Sequence, residues 1–428
     1  MRNKSVHATA LVLVILTVIF SLSPATSSLM NDVIIRSTGQ MATVGYARSG
    51  SARDIQAAVD GVAGHGDMGN VYIPEGTFNF VDVGESWTGA RVTIPAGINL
   101  FGAPTERDAN GLVIEWKTVL VMPSEVAGSE SVGIPIWFRF VGSSDPTKPS
   151  RFSDIQLSGY RTIDPASTSM HVGVQMGGGN EGGVINFRVD HCYFLNTAGG
   201  GVHACGSELQ NGPDTISGVV DHCKFVNTAG TPNPYETRTV DYGVHASRGG
   251  GWATDYLPWE DDITKILGKY TDYTVFVEDC YFEKWRHCVV SRSGAHVVLR
   301  HSTIRYDFGY GSVDIHGDSP GRALEVYNCI LSDVISPPSQ DDILWQRAGG
   351  GAIFNNTVTD YRVFVYLTRE NPASKYWPHD VWVWNNSLPA GLSPVTTDGG
   401  PAENVDYFLY PMPNYQPYPY PHPLTLGM

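Results

Sequence analysis

No Cys-x-x-Cys pair occurs in the chain, so the usual spacing of a structural zinc site or a redox dithiol is missing. Positive charge is scarce as well: 28 Lys and Arg stand against 43 Asp and Glu, for a formal net charge of -15. A surface of that sign repels nucleic acid and anionic membranes at long range, so neither is expected as a partner, and any polyanionic ligand would need a local basic patch. Long apolar runs are also lacking. The longest, Ala10 to Phe20, is shorter than the roughly 20 residues that a spanning helix needs. Arg2 and Lys4 precede it and the small residues Ser23 to Ser28 follow, which is the order of a secretory signal. Residues 1–28 are therefore expected to be a signal segment, with a retained anchor as the lesser alternative. The protein is expected to be secreted or at the cell surface, with no membrane span beyond that segment.

What the chain does have is glycine, proline and aromatic side chains, with 47 Gly, 27 Pro and 11% Phe, Trp and Tyr, which suits a turn-dense β protein. It also repeats itself. Val189-Asp190-His191-Cys192-Tyr193-Phe194 returns as Val220-Asp221-His222-Cys223-Lys224-Phe225 and Val277-Glu278-Asp279-Cys280-Tyr281-Phe282. Looser copies begin at Phe152, Leu299, Val326, Phe354 and Trp384, at intervals of 37, 31, 57, 22, 27, 28 and 30 on the fourth residue of each phrase. All but the 57 suit one coil of a β-solenoid, in which each coil buries its apolar side only by stacking on its neighbours. The long interval points to an insertion from about Gly249 to Tyr273. Asp54 to Val59 reads as a short amphipathic helix with an Asp start signal, and Val71-Tyr72-Ile73-Pro74-Glu75-Gly76-Thr77-Phe78 as strand, turn, strand. Val92 to Ile98 reads as the same phrase one coil later.

This helix followed by a Pro-x-Gly turn resembles the start of the pectin-lyase-like β-helix proteins, and the resemblance runs from Asp54 to about Leu388. It implies an all-β fold: a single right-handed parallel β-helix with an N-terminal capping helix. The expected organisation is a β-helix domain over residues 29–390, followed by a Pro- and Tyr-rich tail over residues 391–428. The tail should be extended, and its simplest role is to cover the last coil's unpaired edge.

His191, His222 and His301 share a repeat position that we align with Asp279, Asn328, Asn356 and Asn386. A position that accepts His, Asp and Asn is more simply a polar corner than a set of ligands. Cys192, Cys223, Cys280 and Cys329 take the next position, aligned with Ser302, Thr357 and Ser387. Stacked small side chains explain these cysteines better than disulfides do.

A second repeated strand offers more chemistry. Its copies start at Gly201, Gly243, His287 and Ser312. Alternation turns Val202, Val244, Cys288 and Val313 inward, with Ala204, Ala246, Val290 and Ile315. His203, Cys205, His245, Ser247, Ser291, Asp314 and His316 are left on the outer face, with Arg248 and Arg292 at its margin. Solvation alone would explain such a polar face. However, it adjoins the insertion that carries Trp252, Tyr256 and Trp259, and flat aromatic rings with polar rims suit sugars. Arg286-His287 followed by Asp314-Ile315-His316-Gly317 is also similar to an R-H then D-x-H-G pattern in bacterial and archaeal β-helix proteins. The paired Asp motifs of polygalacturonases and the clustered Asp of calcium-dependent pectate lyases are not found. No cofactor is certain, and calcium is left open.

Two functions are therefore expected in competition. The first is a carbohydrate-active enzyme, preferably a lyase acting on a polymer that contains uronic acid. His245 or His316 would be the base, Arg292 or Arg248 the cation, and Asp314 the partner that favours a charged His. His203, Arg248, Trp252, Trp259, Arg286 and His287 would bind the polysaccharide. Hydrolysis would need two carboxyl groups, with Asp314 joined by Asp318 or Asp241. The second is a non-catalytic extracellular protein that binds glycans or builds structure. Asn355-Asn356-Thr357 and Asn385-Asn386-Ser387 fit glycosylation sequons.

Overall fold

The computed structural model describes residues 32–35, 41–65, 68–109, 111–124, 134–143, 145–160, 171–178, 182–197, 199–206, 215–228, 242–249, 262–307, 311–317, 319–332, 342–359, 361–370 and 376–427. Their strands form three long sheets of 13, 9 and 10 strands, here called the first, second and third. All three are parallel, apart from the N-terminal edge of the first, where Asp32–Ile35 runs antiparallel to Met41–Tyr46. One coil visits the sheets in turn: Gly218–Asp221 lies in the first, Lys224–Val226 in the second and Tyr242–Ser247 in the third. This is the expected all-β fold, a single parallel β-helix.

Alternation along each strand builds the core. Val202, Val244, Val289, Val313, Leu344 and Val365 align across the third sheet and are all buried. In the second sheet the rings of Phe194, Phe225 and Phe282 stack at successive spacings of 4.7 Å, about the spacing of hydrogen-bonded strands. The helix Ala52–Ala63 closes the N-terminal end with Ile55, Ala58, Val59 and Val62 turned inward. It begins earlier than expected. The cap is Ser51, whose side chain accepts from the Asp54 amide, and Asp54 lies in the first turn, where its charge suits the helix dipole. Close approach requires glycine beneath the helix: a Cβ on Gly69 would lie 2.3 Å from Val62.

The two Pro-x-Gly phrases prove to be different corners. Residues 71–78 lead from the first sheet to the second, and residues 92–98 from the third to the first.

The polar corner is explained by backbone conformation. Asp154, His191, His222, Asp279, His301, Asn328, Asn355 and Asn385 all have positive φ, between 50° and 63°, a region that Asn, Asp and His tolerate better than other side chains. The alignment used above therefore slips by one in the last two coils. Asn355 and Asn385 make the corner, and Asn356 and Asn386 take the cysteine position. There the side chains serve neighbouring coils: the Cys280 amide donates to Ser302 Oγ at 3.1 Å, the Cys329 amide to Asn356 Oδ1 at 3.0 Å, and the Asn356 amide to Asn386 Oδ1 at 3.0 Å. Cys192, Cys223, Cys280 and Cys329 stand in this ladder without disulfides.

The tail does more than cover an edge. Val395–Thr397 and Tyr407–Phe408 add the last strands to the third and first sheets. Beyond them the chain runs back along the outer face of the first sheet. There Arg300, fully buried, donates to the carbonyls of Tyr418 and Pro419 at 2.7 and 3.0 Å and pairs with Glu278 at 2.6 Å. A short helix, Pro423–Gly427, ends the run beside Gly218–Asp221. The described end of the insertion packs on this same face through Ile263, Ile266 and Leu267, away from the third sheet that it was expected to wall. Residues 1–28, Trp252, Tyr256, Trp259, Asp241 and Asp318 lie outside the described residues. Among the described residues no helix is long and apolar enough to cross a membrane.

Candidate functional site

The outer face of the third sheet gathers the expected residues from four adjoining strands: Gly200–Cys205, Tyr242–Ser247, His287–Arg292 and Val313–Ile315. Register orders them in rows. His203 pairs with His245, His245 with Val290, and Val290 with Asp314. In the next row Cys205 pairs with Ser247 and Ser247 with Arg292. His316 follows Ile315, the partner of Ser291, and so continues that row beyond Arg292.

This register corrects the reading of His287–Arg292 by one residue. Val289, not Cys288, matches Val244, so Val290 faces outward and Ser291 inward. Ser291 is buried and donates to the Ala295 carbonyl at 2.8 Å. Because strand side chains alternate, a slip of one position exchanges the two faces.

Tyr242, which the sequence reading passed over, is the centre of an aromatic cluster. Its ring lies 5.2 Å from that of His245, 5.7 Å from that of His287 and 6.3 Å from that of His203. His203 meets His245 edge-on at 4.9 Å. His287 is buried, with Nδ1 2.6 Å from the Gly311 carbonyl. His245 differs from its neighbours on this face: both of its ring nitrogens are shielded from water, and neither has a hydrogen-bond partner among the described residues. Burial, reinforced by the nearby charges of His203, Arg292 and His316, pushes its pKa well below the ordinary value.

Asp314 plays a different part from the one expected. It is fully buried, and its two oxygens accept from Arg347 Nε and Nη2 at 3.0 and 2.6 Å. Arg347 reaches on to Glu370 at 2.7 Å. Burial alone would raise the Asp314 pKa, but the opposing Arg347 charge, with His287 and His316, leaves it lowered. The carboxylate does not make its histidine neighbours charged, because burial prevails over it at His287 and His316 and holds them at about 4 and about 2.

Further along the same face stand Trp345, paired in register with Asp314, and Tyr366, paired with Trp345. The Trp345 indole donates to Thr368 Oγ1 at 3.0 Å and carries the Arg347 guanidinium 4.3 Å above its ring. Asp342 begins that strand half-buried, and burial raises its pKa to about 6. Arg347 could have been found by carrying the repeat one coil beyond His316, since Leu344-Trp345-Gln346-Arg347 falls in register with Val313-Asp314-Ile315-His316. Asp342 carried no such signal, because its shift comes from burial alone. Arg248 lies at the margin, 4.4 Å over the Tyr273 ring, and Arg286 is close enough for its charge to act on His287. Among the described residues no group of three or more His, Cys, Asp or Glu is placed to hold a metal ion.

The buried imidazoles make stability depend on pH. His171, His203 and His287 are each held at about 4 by burial, and His316 at about 2, whereas an unfolded chain titrates them near roughly 6.5. Below that value the unfolded state binds more protons, so stability present above about pH 6.5 is lost as the pH falls. His245, His301 and His422, also lowered by burial, add to the trend, and the raised groups Asp342, His222 and Glu278 oppose it. The thermal midpoint should therefore decline between about pH 6.5 and 4. A flat or rising midpoint would show that these rings reach water in the folded state.

No family model and no curated protein matches the chain. Solved structures do. A double mutant of the tailspike protein of E. coli bacteriophage HK620 is 17% identical, with a TM-score of 0.48 over 82% of this chain and 56% of its own. A tailspike of Acinetobacter baumannii bacteriophage Fri1, described as a capsular polysaccharide depolymerase, is 14% identical, with a TM-score of 0.38 over 79% and 55%. The catalytic unit of an α-1,3-glucanase from Streptomyces thermodiastaticus is 12% identical, with a TM-score of 0.38 over 82% and 68%. The chain thus spans little more than half of each tailspike structure. Likeness at this level concerns the fold alone, which the three sheets already display. By its stacked parallel sheets, its corner ladder and its helical cap, the chain is a parallel β-helix protein.

Proposed function

We propose that this is a secreted protein whose third sheet binds an extracellular polysaccharide on its outer face and cleaves it by β-elimination at a uronic-acid unit. The observation that carries the proposal is His245: a shielded imidazole with neither nitrogen partnered among the described residues, set amid Arg292, His316 and Tyr242. A buried polar side chain left unsatisfied costs about 1–3 kcal/mol, which a hydrogen-bonding ligand on this face would offset. The signal-like residues 1–28 support secretion.

In this reading Arg292 faces the sugar carboxylate and neutralises it, which acidifies the adjacent carbon-bound proton. Neutral His245 removes that proton. The carbon–oxygen bond to the leaving sugar breaks, a carbon–carbon double bond forms, and the leaving oxygen takes up a proton from water. A bound uronate also raises the pKa of His245 toward the working range, since an anion favours the protonated ring. Asp314 is a positioning residue that fixes Arg347. Trp345 and Tyr366 offer ring surface to the sugars, with His203, His287 and Arg286 beside them.

The test is an ultraviolet assay for unsaturated uronyl products on pectin, alginate and glycosaminoglycans, with and without added calcium. Product formation is expected on at least one of these polymers. If no such product forms, while oligosaccharides still bind and Trp345→Ala weakens that binding, the face is a glycan-binding surface without catalysis.

A further inference from the structure

A second feature lies where the first and second sheets meet. The hairpin of Glu106–Arg107 and Val113–Glu115 borders an open cleft of about 230 Å³ at this corner. Leu112 and Trp116 line it together with His222, Lys224, Asp279 and Tyr281. None of these residues belongs to the third sheet, so the cleft is separate from the site described above.

Its parts are held in place. The Trp116 indole donates to the His191 carbonyl at 2.7 Å, and its ring packs 5.0 Å from that of Tyr193. Lys117 pairs with Glu106 at 2.7 Å and Glu115 at 2.6 Å, tying the base of the hairpin. The Lys224 ammonium sits 5.1 Å from the Tyr193 ring and 5.8 Å from the Tyr281 ring, and it makes no ion pair among the described residues. Asp279 is already engaged by the Tyr420 hydroxyl at 2.8 Å. His222 is bound through Nδ1 to Asp221 at 2.9 Å, which favours its charged form.

We propose that this cleft is a second glycan subsite that takes one acidic sugar ring. The apolar face of the ring would lie between Trp116 and Tyr281, and its carboxylate would meet Lys224. The volume is below the range of pockets that enclose larger ligands, so it suits a single ring of a chain that continues outside. Indole and phenol rings supply flat apolar contact with a polar rim. The sign of the sugar follows from charge: in a chain of net charge -15, an ammonium without an ion-pair partner among the described residues, set over two aromatic rings and beside a histidine that favours its charged form, attracts an anion, with the Asp279 carboxylate turned to the Tyr420 hydroxyl. A subsite away from the third sheet would hold a polymer at two points and raise its effective concentration at the first.

Calorimetric titration of the full chain with tetragalacturonate tests this, with a neutral tetraglucoside as comparison. Two binding events are expected for the acidic oligomer. Lys224→Met should weaken one of them by about tenfold or more, as the loss of one charge-assisted contact implies, while Arg292→Met weakens the other. Trp116→Phe keeps an apolar ring but changes its area, and should weaken the same event as Lys224→Met without altering the second. Lys224 makes no ion pair among the described residues, and methionine keeps most of its half-buried stem, so the replacement should shift the melting midpoint little. If Lys224→Met binds tetragalacturonate as the unaltered chain does, or if the neutral oligomer occupies the Lys224-dependent site equally well, the proposal is overturned. A Lys224-dependent event with no event that responds to Arg292→Met would count against the third-sheet reading and leave this one standing.

Discussion

Replacing His245 by alanine should lower the turnover of a uronate-containing polymer by about 10²- to 10⁴-fold, the range of a lost general base. The fold should be left intact. The imidazole makes no hydrogen bond among the described residues, so its removal breaks no polar network, and the melting midpoint should fall only slightly, through lost packing on Tyr242 and His203. This pairing of outcomes separates a catalytic role from a structural one. His316→Ala gives a useful contrast, because His316 is buried beside the Asp314–Arg347 pair and its loss should disturb packing as well as rate. If His245→Ala cleaves as fast as the unaltered protein, the base lies elsewhere and the mechanism above is wrong, even if the polymer still binds.

Asp314→Ala should instead act mainly on stability. Removing one member of a buried ion pair typically costs about 3–5 kcal/mol, because the other charge is left without compensation. Here the value should fall toward the lower end, since Arg347 keeps its contact with Glu370 at 2.7 Å. The measurement is the urea midpoint of the variant, with the double replacement Asp314→Leu and Arg347→Met as its partner. The double variant should recover much of the loss, because an apolar pair of similar volume carries no desolvation penalty. Activity should fall in both, through displacement of Trp345 and His316. A single variant as stable as the unaltered chain would mean that water reaches Arg347 and that Asp314 is not the clamp described.

The two predictions divide residues that the sequence placed in one list. His245 and Asp314 both appeared as outward, ionisable members of a repeated strand, and nothing in the period distinguishes a side chain without partners from one held by two hydrogen bonds. The difference depends on Arg347, one coil away in space but 33 residues along the chain. In the same way, Val290 looked inward and Ser291 outward because Cys288-Val289-Val290 offers two apolar alignments; only pairing with Tyr242–Ser247 on one side and Val313–Ile315 on the other selects between them. The corner histidines were easier to read. His, Asp and Asn at one position share a tolerance for positive φ that is local to the residue, so His191, His222 and His301 could be set aside as structural from the repeat alone.

By itself the sequence determined the class of fold, the coil length, the capping helix and the strand that carries the candidate chemistry. These follow from side-chain period, turn-forming residues and spacing, which are properties of short segments and so are written locally. Tertiary structure alone decided the register of His287–Arg292, the course of the tail along the first sheet, the shielding of His245, the pairing of Asp314 with Arg347 and the raised pKa of Asp342. Each of these depends on which groups from distant coils exclude water or supply opposite charge, and that is set by the stacking of coils, not by any one of them.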